Sequence, residues 1–179
     1  MDLKQWKGFN PNLSEGLNFE IFLLGLKPKQ VSHHSCFRRM RFLRALLEST
    51  KIQEHGFPSH PDTFMKVILE KVQSFFNPDQ RKFVKVFSTV QRPLDFHGVD
   101  FFFYYNGSIV TCDQTLRDDK KSHRQTHLIF NLDTISSDEK MDGFAKRVHD
   151  LLKIGVNKLP PSVIREMNKR IWGGAYKDS

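Results

Sequence analysis

Apolar positions along this chain change their spacing twice, separating helix-like ends from a strand-like centre. Residues 1–32 show no clean period and are interrupted by Gly8, Pro11, Gly16, Gly25 and Pro28, so they are expected to be irregular, with one short element at 18–24. From Ser35 to about Ser49, Cys36, Met40, Leu43 and Leu47 recur at three- and four-residue spacing, which predicts a helix. FPSHPDTFMKVILEKVQSFFNPD predicts a second, with Ser59 or His60 near the cap, Pro61 in the first turn and a stop at Asn77-Pro78. Its predicted apolar face is Phe64, Val67, Ile68, Val72 and Phe75. The period then shortens to two. KFVKVFSTV, VDFFFYY and SIVTCDQTL, rich in Phe, Val, Tyr and Thr, read as three strands, and HLIFNLD, from His127, as a fourth. Ser136-Ser137-Asp138-Glu139 has capping-box spacing ahead of Met141, Phe144, Val148, Leu151 and Leu152 at helical intervals. Pro160-Pro161-Ser162 opens a last helix, with Ile164, Met167 and Ile171 on one side and Gly173-Gly174 closing it.

Helices bracketing a run of strands predict an α/β (α+β) architecture: a central mixed sheet of about four to five strands, including an antiparallel hairpin, flanked by helices. At 179 residues the chain has the length of one ordinary domain. Within a single domain over 1–179, residues 1–57 form a basic, partly irregular extension with one helix, 58–153 the core, and 160–172 a C-terminal helix.

The most informative local signal is Asn106-Gly107 between two apolar, β-prone runs, the dipeptide that best specifies a two-residue hairpin turn. With those residues as the turn, Tyr105 faces Ser108, Phe103 faces Val110 and Asp100 faces Asp113. Alternation then places Asp100, Phe102, Tyr104, Ile109, Thr111, Asp113 and Thr115 on one face. Two carboxylates so placed have Cβ atoms on the order of 5 Å apart. Like charges directly opposite destabilise a sheet and call for a cation, a proton or basic neighbours.

This arrangement resembles the core of the PD-(D/E)XK nuclease superfamily: a helix, a strand, a strand bearing Asp, a tight turn, then a strand bearing Asp-x-polar. Val99-Asp100 matches the first motif element, and Cys112-Asp113-Gln114-Thr115 the second, except that Thr115 stands where the family has lysine. The chain therefore looks like a degenerate member, over roughly residues 60–150. The resemblance implies that Asp100 and Asp113 ligate Mg²⁺, with Glu70 on the preceding helix as an outer ligand. It also implies that Lys120 or Lys121 acts as a displaced catalytic lysine beside Thr115.

Charge adds a partner. The net charge is +8, distributed as about +4 over residues 1–57, about +1 over 58–133 and about +3 over 134–179. Basic flanks around an aspartate-rich centre suit a cation site whose surroundings attract a polyanion. Arg38, Arg39, Arg41 and Arg44 surround the first predicted helix, either as phosphate contacts or as a solvated face, and a second basic flank runs from Lys140 to Arg170. Nucleic acid is the expected partner, DNA ahead of RNA, and a homodimer is compatible with the sequence.

Other chemistry has less support. His33-His34 with Cys36 lacks a fourth ligand, and His123 with His127 straddles the start of a strand, so a structural or surface role is expected for them. The seventeen phenylalanines, Phe101-Phe102-Phe103 among them, are expected to form core rather than a base-stacking platform. Cys36 and Cys112 lack CxxC spacing and read as buried thiols. No GxxxxGK(S/T), GxGxxG or GxSxG occurs, which leaves triphosphate, dinucleotide and serine-hydrolase readings unsupported. No stretch reaches the ~20 apolar residues of a membrane span, and MDLKQWKGFNPNLSEG lacks the apolar run of a signal peptide, so a cytoplasmic protein with no membrane association is expected. Two function classes remain: a nuclease-like protein with Mg²⁺-dependent phosphodiester hydrolysis, and a non-catalytic nucleic-acid-binding or protein-interaction module of a mobile element or phage.

Overall fold

The computed structural model describes residues 7, 10–12, 14–24, 41–51, 64–89, 93–116 and 125–172. Four strands, β1 (Lys85–Ser88), β2 (Phe101–Tyr105), β3 (Ser108–Gln114) and β4 (Leu128–Phe130), lie side by side in that order. The first three form an antiparallel meander, and β4 runs parallel to β3. A parallel neighbour requires the chain to return to the starting end of the sheet between β3 and β4. The helices are α1 (Glu15–Leu24), α2 (Phe42–Thr50), α3 (Phe64–Ser74), the single turn α4 (Pro78–Arg81), α5 (Asp138–Ile154) and α6 (Pro161–Trp172). This is the expected mixed sheet flanked by helices.

The pleat sorts the core into two layers. Phe101, Phe103, Val110 and Cys112 point to one face, where α1, α3 and α5 cover them. Phe102, Tyr104 and Ile109 point to the other, beneath α2 and α6. Every residue of β3 is buried, as are Phe101 to Tyr104, which explains why the Phe101-Phe102-Phe103 run does not alternate with polar residues. Phe130 anchors the first layer against Phe19, Phe101 and Phe144, and Phe87 stacks on Phe102 at 5.0 Å in the second.

The hairpin turn has positive φ at both central residues, 47° at Asn106 and 82° at Gly107, as a type I′ turn demands. The ladder runs from Tyr105↔Ser108 through Phe103↔Val110 to Phe101↔Cys112, the register inferred from the turn. A Cβ at Gly107 would lie 2.5 Å from Ile164 Cδ1 as well as demanding a left-handed backbone. Gly107→Ala is therefore expected to cost about 1–2 kcal/mol, read as a lower urea midpoint with unchanged slope. Wild-type stability in that variant would mean that the turn has another conformation.

Several local expectations need correction. α2 starts at Phe42, after an extended Arg41, and its buried side is Ala45, Leu46, Ser49 and Thr50, whereas Leu43 is 37% exposed. Residues 35–40 of that predicted helix lie outside the described residues. α3 ends at Ser74, Pro78 opens α4 instead of terminating α3, and the α3 buried stripe is Met65, Ile68, Leu69 and Val72. Val67 and Phe75 are exposed by 40% and 39%. Both stripes have helical spacing, and packing against α1 and α5 selects between them. At α5 the hydroxyl of Ser137 accepts from the Lys140 N–H, so the cap is Ser137 rather than the Ser136–Glu139 pair, and Gly155 closes the helix at φ 67°. None of the described helices is long and apolar enough to cross a membrane.

Candidate functional site

Asp100 immediately precedes β2, and Asp113 is the penultimate residue of β3. The β2–β3 register ends at Phe101↔Cys112, one step short of the expected Asp100–Asp113 pair, and the two carboxyls interact across that open end of the hairpin. The Asp100 N–H donates to the Cys112 carbonyl at 2.9 Å, and the Gln114 N–H donates to Asp100 Oδ2 at 2.6 Å. The carboxyl groups of Asp100 and Asp113 lie close enough to act on one another directly. Asp113 is 2% exposed and Asp100 is partly buried. The pair is thus built from β-strand alternation and one tight turn.

Such a pair cannot carry two full charges without cost. Burial raises the Asp100 carboxyl from 3.8 to about 8, against the lowering effect of the Gln114 N–H. The charges of Asp95 and Asp113 and the hydrogen bond to Asp113 add to the rise. Asp100 therefore retains its proton near neutral pH. Burial, with the same two aspartates behind it, also raises the Cys112 thiol well above its usual range, which keeps this buried residue protonated and inert.

Asp95 was not a sequence candidate. It starts a 3-10 turn, Asp95–His97, that Gly98 closes at φ 73°. The Asp-Phe-His-Gly string carried that turn signal, but only folding brings its carboxylate within electrostatic range of Asp100. The same turn meets α2: Phe42 packs edge-on against His97 at 5.9 Å, and the Leu94 N–H donates to Ser49 Oγ at 3.1 Å. Arg41 and Arg44, both exposed, lie at the start of the helix that covers the second core layer.

The remaining candidates are not gathered there. Glu70 sits on the exposed side of α3, 4.0 Å from Lys66, and α3 packs on the opposite face of the sheet. The sheet itself separates Glu70 from the aspartates, so the outer-ligand role is withdrawn. Thr115 is 8% exposed just beyond β3, and its N–H donates to the Phe130 carbonyl at 2.9 Å. Lys120, Lys121, Arg38, Arg39, His33, His34, Cys36 and His123 lie outside the described residues. His127 has a structural role: its Nδ1 accepts the Thr111 N–H at 3.0 Å, and its own N–H donates to the Thr111 carbonyl at 3.0 Å. That bond puts the neutral ring's proton on Nε2, and burial lowers its pKa.

Among the described residues no cluster of three or more His, Cys, Asp or Glu is placed to hold a metal. Two converging carboxylates nevertheless fit Mg²⁺, a hard cation usually held by one or two carboxylates, with water and substrate phosphates completing its shell. No protein-family model, no curated protein and no solved structure matches this chain, so the reading of the site rests on its own geometry.

Proposed function

We propose that this chain is a nuclease-like nucleic-acid-binding protein in which Asp100 and Asp113 hold Mg²⁺ for hydrolysis of phosphodiesters. The observation that carries the reading is the approach of these two carboxyls at the open end of the hairpin, with Asp113 buried and Asp100 held by the Gln114 N–H. The order α3, β1, β2, tight turn, β3 also follows the helix–strand–hairpin succession of the PD-(D/E)XK core. The proton that Asp100 retains is the compensation that a divalent cation would replace. When bound, the metal would supply polarisation of a phosphoryl oxygen and a more acidic water. For their part, the Gln114 N–H orients Asp100, burial in β3 holds Asp113, and Arg41 and Arg44 attract the phosphate backbone.

The second basic flank contributes less than its charge count suggests. Lys140 pairs with Asp133, Lys146 with Asp150 at 2.8 Å, and Arg170 with Glu166 at 2.9 Å while also bonding the Leu47 carbonyl and Thr50 Oγ1. Phosphate contacts beside the aspartates are therefore assigned to the first flank. Replacing Arg38, Arg41 and Arg44 together by Gln is expected to weaken binding across all sequences and to flatten the salt dependence by roughly two to three units of slope. The melting temperature should not move, because Arg41 and Arg44 are exposed. Undetectable binding to single- and double-stranded DNA and RNA at low salt would end the nucleic-acid reading.

One observation favours a second, non-catalytic reading. Thr115 takes the place of the family's lysine, and the charges acting on Asp100 from the described residues, Asp95 and Asp113, are both negative. A binding module on the same scaffold would then bind nucleic acid or a protein without cutting. Incubating labelled DNA and RNA with the protein in Mg²⁺ and in Mn²⁺ separates the two readings: cleavage supports the first, and binding without cleavage the second.

A further inference from the structure

At the other end of the hairpin from the aspartates lies a cavity of about 290 Å³, lined in part by Phe83, Tyr104, Tyr105, Asn106, Asn168 and Trp172. Phe83 and Trp172 meet edge to face at 5.6 Å, and Phe83 is 38% exposed. The Tyr104 hydroxyl donates to Asn168 Oδ1 at 2.7 Å, which orients the carboxamide and leaves its Nδ2 hydrogens for a ligand. Three ammonium groups surround this aromatic cluster. Lys85 Nζ lies 4.9 Å over the Trp172 ring, Lys82 Nζ 5.0 Å over Phe83, and Lys153 Nζ 5.8 Å over Tyr105. Burial lowers the pKa of Lys85, so an anion beside it would recover interaction energy that desolvation removes.

We propose that this cavity binds an unpaired nucleobase together with its phosphate. The aromatic side chains offer stacking surface, Asn168 Nδ2 donates to the base edge, and Lys85, over Trp172 at the rim, receives the phosphate with Lys82 beside Phe83. The cavity is at the small end of the ~300–1,000 Å³ range of ligand sites, suited to one nucleotide and too small for a duplex. A free mononucleotide and an unpaired base of a strand present the same chemistry. The site shares no residue with the Asp100–Asp113 pair, so either proposal can fail alone.

Trp172 is the natural reporter, since the only other tryptophan is Trp6. In a Trp6→Phe background, adenosine 5′-monophosphate is expected to quench the fluorescence saturably, and adenosine to bind about tenfold more weakly because it lacks the charge-assisted phosphate contacts. Lys85→Met, which keeps the packing stem, should weaken the monophosphate about tenfold and leave adenosine unchanged. Asn168→Asp preserves an acceptor for Tyr104 but removes the donor, and should weaken both ligands. Asp113→Asn should alter neither. Calorimetry on the wild-type chain gives the same comparison if Trp6→Phe does not fold. A ten-nucleotide deoxyadenosine strand distinguishes the sources: quenching by the strand alone identifies a base within a strand, and quenching by both identifies the nucleotide unit itself. No binding of either, or binding that Lys85→Met and Asn168→Asp leave unaltered, overturns the proposal.

Discussion

Asp113→Asn is expected to abolish Mg²⁺-dependent cleavage, by about a thousandfold or more, while leaving the protein as stable as the wild type or more stable. Two effects combine. A neutral amide is a poor ligand for a hard cation, so metal occupancy falls. The same change removes one of two neighbouring carboxyls in a buried setting, and the new amide can donate to Asp100. Thermal unfolding of both proteins with and without Mg²⁺ checks the assignment alongside the activity assay. A cation that binds only the folded wild type raises its stability by about 2.7 kcal/mol at a hundred times its Kd, and leaves the variant unmoved. A destabilised variant, with Mg²⁺ affecting neither protein, would mark Asp113 as architectural and remove the metal-site reading.

The second large effect is a fall in stability with rising pH. The Asp100 carboxyl titrates near 3.8 in an unfolded chain and at about 8 in the fold. Between those values the folded state holds a proton that the unfolded state has released, so unfolding free energy decreases as pH rises. The contribution is fully present below about pH 3.8 and is lost by the time the pH has passed through about 8. The slope is at most about 1.4 kcal/mol per pH unit, and partial exposure of Asp100 reduces the total to a few kcal/mol. Urea unfolding at intervals from pH 5 to 9 should show the decline in the wild type and a flatter profile in Asp100→Asn. Saturating Mg²⁺ should offset the loss at the alkaline end, because the cation takes the proton's place. A wild-type profile that is flat or rises over this range would mean that Asp100 ionises normally in the fold.

Much of this architecture was legible in short stretches of sequence. Asn106-Gly107 names its own turn because few other dipeptides tolerate positive φ at both positions, and a two-residue turn leaves no freedom in register. Asp100 and Asp113 then fall on one face by the period of two, and the existence of α3, α5 and α6 follows from their helical periods. These signals are local: each is encoded within about ten residues, where backbone sterics and side-chain periodicity act directly.

Contacts between distant segments decided the rest. Whether α3 buries Val67 and Phe75 or Met65 and Leu69 depended on α1 and α5, since both stripes satisfy the same helical period. Assignment of α3 to the opposite face of the sheet placed Glu70 out of reach, a layer choice that helix periodicity does not contain. The parallel placement of β4, the approach of Asp95 to Asp100, and the engagement of Arg170 with α2 join segments from different parts of the chain. The aromatic cavity likewise assembles residues around 80, 105 and 170 that share no motif. Burial completed the chemistry, because the layers packed around the strands supply the largest part of the rise that carries Asp100 to about 8, with Asp95 and Asp113 adding to it.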